Sequence, residues 1–107
     1  MAIANVFILA TETTITVAEA GDRAVLSMML CNTDTVSHTV SIYAYPTGGS
    51  MIDQYCILKN WTIPAGDTLS FSSEDKIILQ AGAKITAICD AASKISALAN
   101  YMDILED

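Results

Sequence analysis

Positive charge is scarce in this 107-residue chain: five Lys and Arg stand against 12 Asp and Glu, a formal net charge of -7. Nucleic acid and anionic membrane surfaces both call for a basic face, so this balance excludes the usual electrostatic route to either. Charge of either sign is low, 16% of residues against about 25% in an average soluble domain, while 52% are hydrophobic. Long apolar runs are also missing. Thr, Ser, Asn or Asp interrupts every stretch well short of the roughly 20 residues a membrane-spanning helix needs, which reads as a soluble protein. No Lys or Arg precedes Arg23, so the apolar stretch 6–10 lacks the charged segment of a secretory signal and reads instead as a first strand.

Residues that carry chemistry are equally sparse. Cys31, Cys56 and Cys89 are odd in number and widely spaced, without the CxxC or Cys/His spacing of a zinc site. They read as reduced, unpaired thiols packed as small apolar groups. The single histidine, His38, follows the polar loop 32–37 with no nucleophile elbow around it, and reads as a turn-flanking residue. Glu74-Asp75 and the carboxylates of Asp103, Glu106 and Asp107 lack the regular ligand spacing of a calcium loop, and read as solvated surface. No metal, cofactor or catalytic residue is assigned on these grounds, and the chain reads as a non-enzyme.

What the chain does have is period-two patterning. In 38–45, Val40, Ile42 and Ala44 alternate with Thr39, Ser41 and Tyr43, the mark of a strand with one core face. The stretch 84–90 repeats it, with Ile85, Ala87 and Cys89 on one side. Further strands are expected over 6–10, 13–18, 24–31, 54–63, 68–72 and 95–105, each rich in β-branched or aromatic residues. Residues 91–102 contain helix-tolerant alanines, but Ile95, Ala97, Ala99 and Tyr101 alternate as a strand does. Ala-Gly dipeptides at 20–21, 65–66 and 81–82 each separate two apolar runs, supplying the positive φ of tight antiparallel connections rather than a phosphate cradle, since a strand and not a helix follows each. The fold class is therefore all-β, an antiparallel β-sandwich of jelly-roll or immunoglobulin-like type with about eight short strands, in a single domain spanning 1–107.

One stretch breaks the rule of one wet face. In 24–31, strict alternation puts Ala24, Leu26, Met28 and Leu30 on one side and Val25, Met29 and Cys31 on the other, and both sides are apolar. Such a strand is covered on its outer side by another subunit, or by a loop or terminus of its own chain. A domain this small buries only about 65% of its unfolded surface, and a mean hydropathy of +0.44 favours the subunit. Met28, Met29, Met51 and Met102 suit either an adaptable partner surface or core gaps. The aromatic group Tyr43, Tyr45, Tyr55 and Trp61 suits a protein or carbohydrate contact. Val25, Met29, Cys31, Tyr43 and Tyr45 are the candidate interface residues.

Ala4-Asn5-Val6-Phe7, Leu30-Cys31-Asn32-Thr33, Val40-Ser41-Ile42-Tyr43, Trp61-Thr62-Ile63-Pro64-Ala65-Gly66-Asp67-Thr68-Leu69 and Leu79-Gln80-Ala81-Gly82-Ala83-Lys84-Ile85-Thr86-Ala87 follow one another in an order that resembles small virion proteins of tailed bacteriophages. The resemblance implies a β-sandwich that multimerises on the capsid, collar or tail. It implies a capsid decoration protein, trimeric by the habit of that family, with other virion proteins such as the major capsid or tail proteins as partners. Its location would be the virion, after assembly in the host cytoplasm. A collar, tail or fibre component that touches a receptor or glycan is the alternative within that class, and a free carbohydrate-binding module the alternative outside it.

Overall fold

A computed structural model describes residues 2–19, 21–71 and 77–104. Among the described residues the alternating segments form nine strands: β1 (Ala2–Ile8), β2 (Thr13–Val17), β3 (Asp22–Asn32), β4 (His38–Tyr45), β5 (Cys56–Ile63), β6 (Thr68–Phe71), β7 (Ile77–Leu79), β8 (Lys84–Cys89) and β9 (Ile95–Ile104). A 3-10 turn, Asp53–Tyr55, precedes β5. Among the described residues no helix is long and apolar enough to cross a membrane.

The pairing is nested. β1 pairs β9, β2 pairs β8, β3 pairs both β6 and β7, and β4 pairs β5, all antiparallel. The chain is thus one long hairpin with its turn between β4 and β5, rolled until β9 also meets β3 and β8 also meets β4. Two sheets result, ordered β1-β9-β3-β6 with β7 beside β3, and β2-β8-β4-β5. This is the expected antiparallel sandwich, in the strand order of a jelly roll. β7 is the strand not anticipated from the sequence; it and β6 share one side of β3. β4 spans 38–45 as expected, whereas β1 begins and ends earlier than 6–10. Ala20, Ser72 and Leu105 lie outside the described residues.

Ile8, Met28, Leu30 and Ile95 of the first sheet meet Val40, Ile42, Ile63 and Ile85 of the second in a fully buried layer. A bulge in β3 decides which of its residues join them. The β9 partners run Val25↔Tyr101 and then Ser27↔Asn100, leaving Leu26 without an opposite number. One extra residue inverts the phase of alternation. Val25 therefore shares the core face with Met28 and Leu30 and is 2% exposed, which corrects its expected place beside Met29 on the outer side.

Two polar side chains tie the layers at opposite ends. Arg23 stacks 3.8 Å above the Tyr101 ring, donates to Asp103 at 2.7 Å and reaches Thr16 of the other sheet at 2.9 Å. Asp103, expected as solvated surface, is exposed but paired. Asn32, wholly buried, donates from Nδ2 to the carbonyls of Val36 and Ile63 at 2.9 Å each, and its Oδ1 accepts from the Asp34 amide at 3.0 Å. One side chain so fixes the β3–β4 turn and fastens it to β5. Replacing it by an apolar group of similar size, Asn32→Leu, strands two carbonyls and an amide, and is expected to lower stability by about 1–3 kcal/mol. Urea denaturation should show an earlier midpoint with an unchanged slope.

Candidate functional site

The end of the sandwich where β3 turns into β4 and β8 into β9 gathers the titratable groups that the sequence scatters. His38 opens β4, and its ring is nearly buried. Its Nδ1 lies 2.8 Å from the Asp90 carboxylate and its Nε2 lies 2.8 Å from that of Asp34. Ionised carboxylates only accept hydrogen bonds, so this arrangement suits a ring protonated on both nitrogens. Cys89, the last residue of β8, donates from Sγ to the same Asp90 oxygen at 3.3 Å. Backbone register places them. Val40 pairs Cys89, and the Asp90 amide donates to the Thr39 carbonyl at 3.1 Å, so the two strand ends are held side by side. Asp34 is fixed in turn, with its backbone amide on Asn32 and its carboxylate accepting from the Thr35 amide at 2.7 Å.

The hydrogen bonds His38 donates to Asp34 and then to Asp90 raise its pKa above the ordinary 6.5. Asp34 is lowered by its bonds to His38 and Thr35. Burial works to raise Asp90, but bonds from His38 and Cys89 outweigh it and leave it lowered. Burial pushes the Cys89 thiol up, and a buried thiol bonded to a carboxylate is the reverse of an activated nucleophile. His38 is thus no mere turn-flanking residue, and Cys89 is both part of the core and polar-bonded.

These directions set a stability window. A group that holds its proton more tightly when folded contributes fully below its unfolded value and loses that contribution as pH rises through the folded one. For His38 the loss lies above 6.5. Asp34 and Asp90 contribute above their ordinary 3.8 and lose it as pH falls through their lowered values. Thermal melts of the metal-free protein should therefore peak between these limits, and His38→Gln should remove the part of the alkaline decline that begins above 6.5, leaving that of the Cys89 thiol above its ordinary 9.0.

The candidate interface residues part company. Tyr43 and Tyr45 are buried within the chain. Tyr45 packs against Tyr55 at 6.2 Å between centroids, under Lys84, with its hydroxyl on Glu12. Gly49 lies so close that a side chain there would meet the Cβ of Tyr45 at 2.9 Å. The 46–55 connection thus covers this end of the second sheet. With Val25 in the core, Met29 (41% exposed) and half-buried Cys31 are the two that reach the surface. All three cysteines are free.

Met29 does not stand alone. Register places Phe7, Asn5 and Ile3 of β1, Ser96, Leu98, Asn100 and Met102 of β9, and Ile78 of β7 on the same outer face of the first sheet. Ile3, Phe7, Ile78 and Met102 are 47–64% exposed. Among the described residues this face carries no carboxylate or ammonium along its strands save Asp22 at its rim, whose side chain accepts from the Ala81 amide. Sequence alternation pointed to Met29 and Cys31 but missed Ile3, which lies outside the expected first strand, and Ile78 of the unanticipated β7. At the far edge Trp61, half exposed, lines a recess with Thr62, Pro64, Asp67 and Thr68. Glu74, Asp75, Glu106 and Asp107 lie outside the described residues.

No protein-family model, curated protein or solved structure matches this chain.

Proposed function

We propose that the chain is a non-enzymatic structural subunit that associates with copies of itself through the outer face of the β1-β9-β3-β6 sheet. On the resemblance set out above, the setting is a tailed-phage particle and the role that of an oligomeric capsid decoration protein. The observation that carries the reading is a face of exposed apolar and uncharged polar side chains, nearly free of charge among the described residues, on a molecule whose net charge is -7. Copies with that charge repel one another wherever carboxylates meet, so the face without them is where contact costs least. Several such modest contacts on a repeated lattice reinforce one another without a tight single site. The carbohydrate-binding alternative is weaker, because Tyr43 and Tyr45 are buried and leave Trp61 as the exposed ring of the aromatic group.

The bulge makes the test sharp. Met29→Asp places a carboxylate on the outer face and should yield a folded protein shifted toward monomer, read by light scattering together with circular dichroism. Val25→Asp buries an unpaired carboxylate in the core and should unfold the chain. A wild-type monomer at micromolar concentration would sink obligate self-association. Counting this protein in purified particles separates decoration, at high copy number, from a collar, tail or fibre role at low copy number.

A further inference from the structure

We propose that His38 Nδ1, Cys89 Sγ and an Asp90 carboxylate oxygen form a three-ligand site for a divalent cation of the zinc type, with Asp34 as the carboxylate that orients the imidazole. The three donor atoms lie within 4.8 Å of one another, and two of the separations are 2.8 Å (Nδ1 to Oδ1) and 3.3 Å (Sγ to Oδ1). Tetrahedral zinc, with bonds of about 2.0–2.1 Å to nitrogen or oxygen and about 2.3 Å to sulfur, holds such donors about 3.3–3.6 Å apart. Admitting the ion takes an opening of the closest pair by about half an ångström and brings the nitrogen and sulfur, which lie within 4.8 Å of each other, to about 3.6 Å, both side-chain adjustments.

Three further features favour a metal over a simple ion-pair cluster. The donor set mixes nitrogen, sulfur and oxygen, which suits zinc and its neighbours and not calcium or magnesium. The imidazole's other nitrogen already bonds to Asp34 at 2.8 Å, the outer-shell carboxylate that metal-bound histidines characteristically have. That carboxylate accepts from the Thr35 amide, and the Asp34 backbone amide donates to Asn32 Oδ1, so the ring is oriented before any ion arrives. Access is also provided: His38 and Cys89 are buried, whereas the Asp90 side chain is 45% exposed, which leaves the fourth position to water on the solvent side.

The charges balance. In the metal-free state with His38 protonated, imidazolium, two carboxylates and a neutral thiol sum to -1. On binding, the Nδ1 proton and the thiol proton leave to solvent, and a dication, a neutral imidazole, a thiolate and two carboxylates again sum to -1. Two protons exchange for one dication with no uncompensated charge placed at the edge of the core.

Cobalt titration of chelator-stripped protein reads the site directly, because a thiolate bound to tetrahedral cobalt gives a near-ultraviolet charge-transfer band and intense visible bands. One equivalent per chain should produce both, and zinc should displace them. The double variant Cys31→Ser/Cys56→Ser retains Cys89 as its sole cysteine and should keep the full signal, while Cys89→Ser should lose the charge-transfer band. Asp34→Asn should keep the band but weaken zinc binding by about 10–100-fold. Absence of a charge-transfer band in the wild-type protein overturns the proposal whether or not any variant folds. So does a band that survives in Cys89→Ser or vanishes in a folded double variant, since the thiolate would then come from elsewhere.

Discussion

The structure turns on β3, the strand that pairs with three others. Its eleven residues receive β9 along one side and β6 and β7 along the other, so the first sheet has no continuity without it. Its phase therefore decides what the sheet shows to each side. With strict alternation through Leu26, Val25 would stand outside and the core would lose a branched side chain between Tyr101 and Ile77, the residues it pairs with. The single-residue bulge reverses this. It leaves a core face of Val25, Met28 and Leu30, and an outer face on which Ser27 bonds the Asn100 amide group at 2.8 Å. A bulge costs one ladder position and a local bend; here it keeps β-branched bulk inside at one end of the strand and a full Met and Leu inside at the other.

The same strand ends in the residue that organises the polar pole. Asn32 closes β3, and its three hydrogen bonds set the turn that carries Asp34. Asp34 then orients His38, and His38 meets Asp90 across the β4–β8 ladder. Each link is short, and each depends on the one before. A buried polar network of this kind is stabilising only when every member is satisfied, and the chain satisfies it through backbone geometry, since the turn, the ladder and the β8–β9 connection each fix one participant. A loose cluster of surface acids would lack that order.

How much of this could be read from the residues follows from the range of the interactions. Local alternation is visible in any window of six residues, so β4 and β8 and the sandwich itself were readable, and so was the strand character of β9 despite its alanines. Strand pairing is not local. Nothing in the sequence states that Val40 lies opposite Cys89, and without that register His38 and Asp90, 52 residues apart, are two unrelated polar residues. Two short-range hints existed in retrospect: the four-residue spacing of Asp34 and His38, and the adjacency of Cys89 and Asp90. The bulge left a weaker trace. A stretch apolar on both sides looks the same whether it is doubly covered or changes phase partway, and only pairing to β9 distinguishes the two. The burial of Tyr45 is hidden from the sequence for a related reason, since its cover comes from a connection whose path alternation does not constrain.

The two sheets end with different outer surfaces, and the difference bears on assembly. The second sheet is clothed by its own chain: Tyr55 and Gly49 lie on Tyr45, and the Asn60 amide donates to Ser41 at 2.9 Å, its left-handed backbone (φ 49) made easier by an Asn side chain. Among the described residues the first sheet has no such layer over Ile3, Phe7, Met29, Ile78 and Met102. A chain with so few charges cannot make both surfaces polar, and it has spent its polar connections on one of them. Assembly through the bare sheet leaves the His38 pole free, because that pole lies at the strand ends and the face lies along their length. Were the chain both to bind an ion and to self-associate as proposed, the two would be separable: substitutions at Met29 should leave the cobalt spectrum alone, and substitutions at Asp34 should leave the oligomeric state alone.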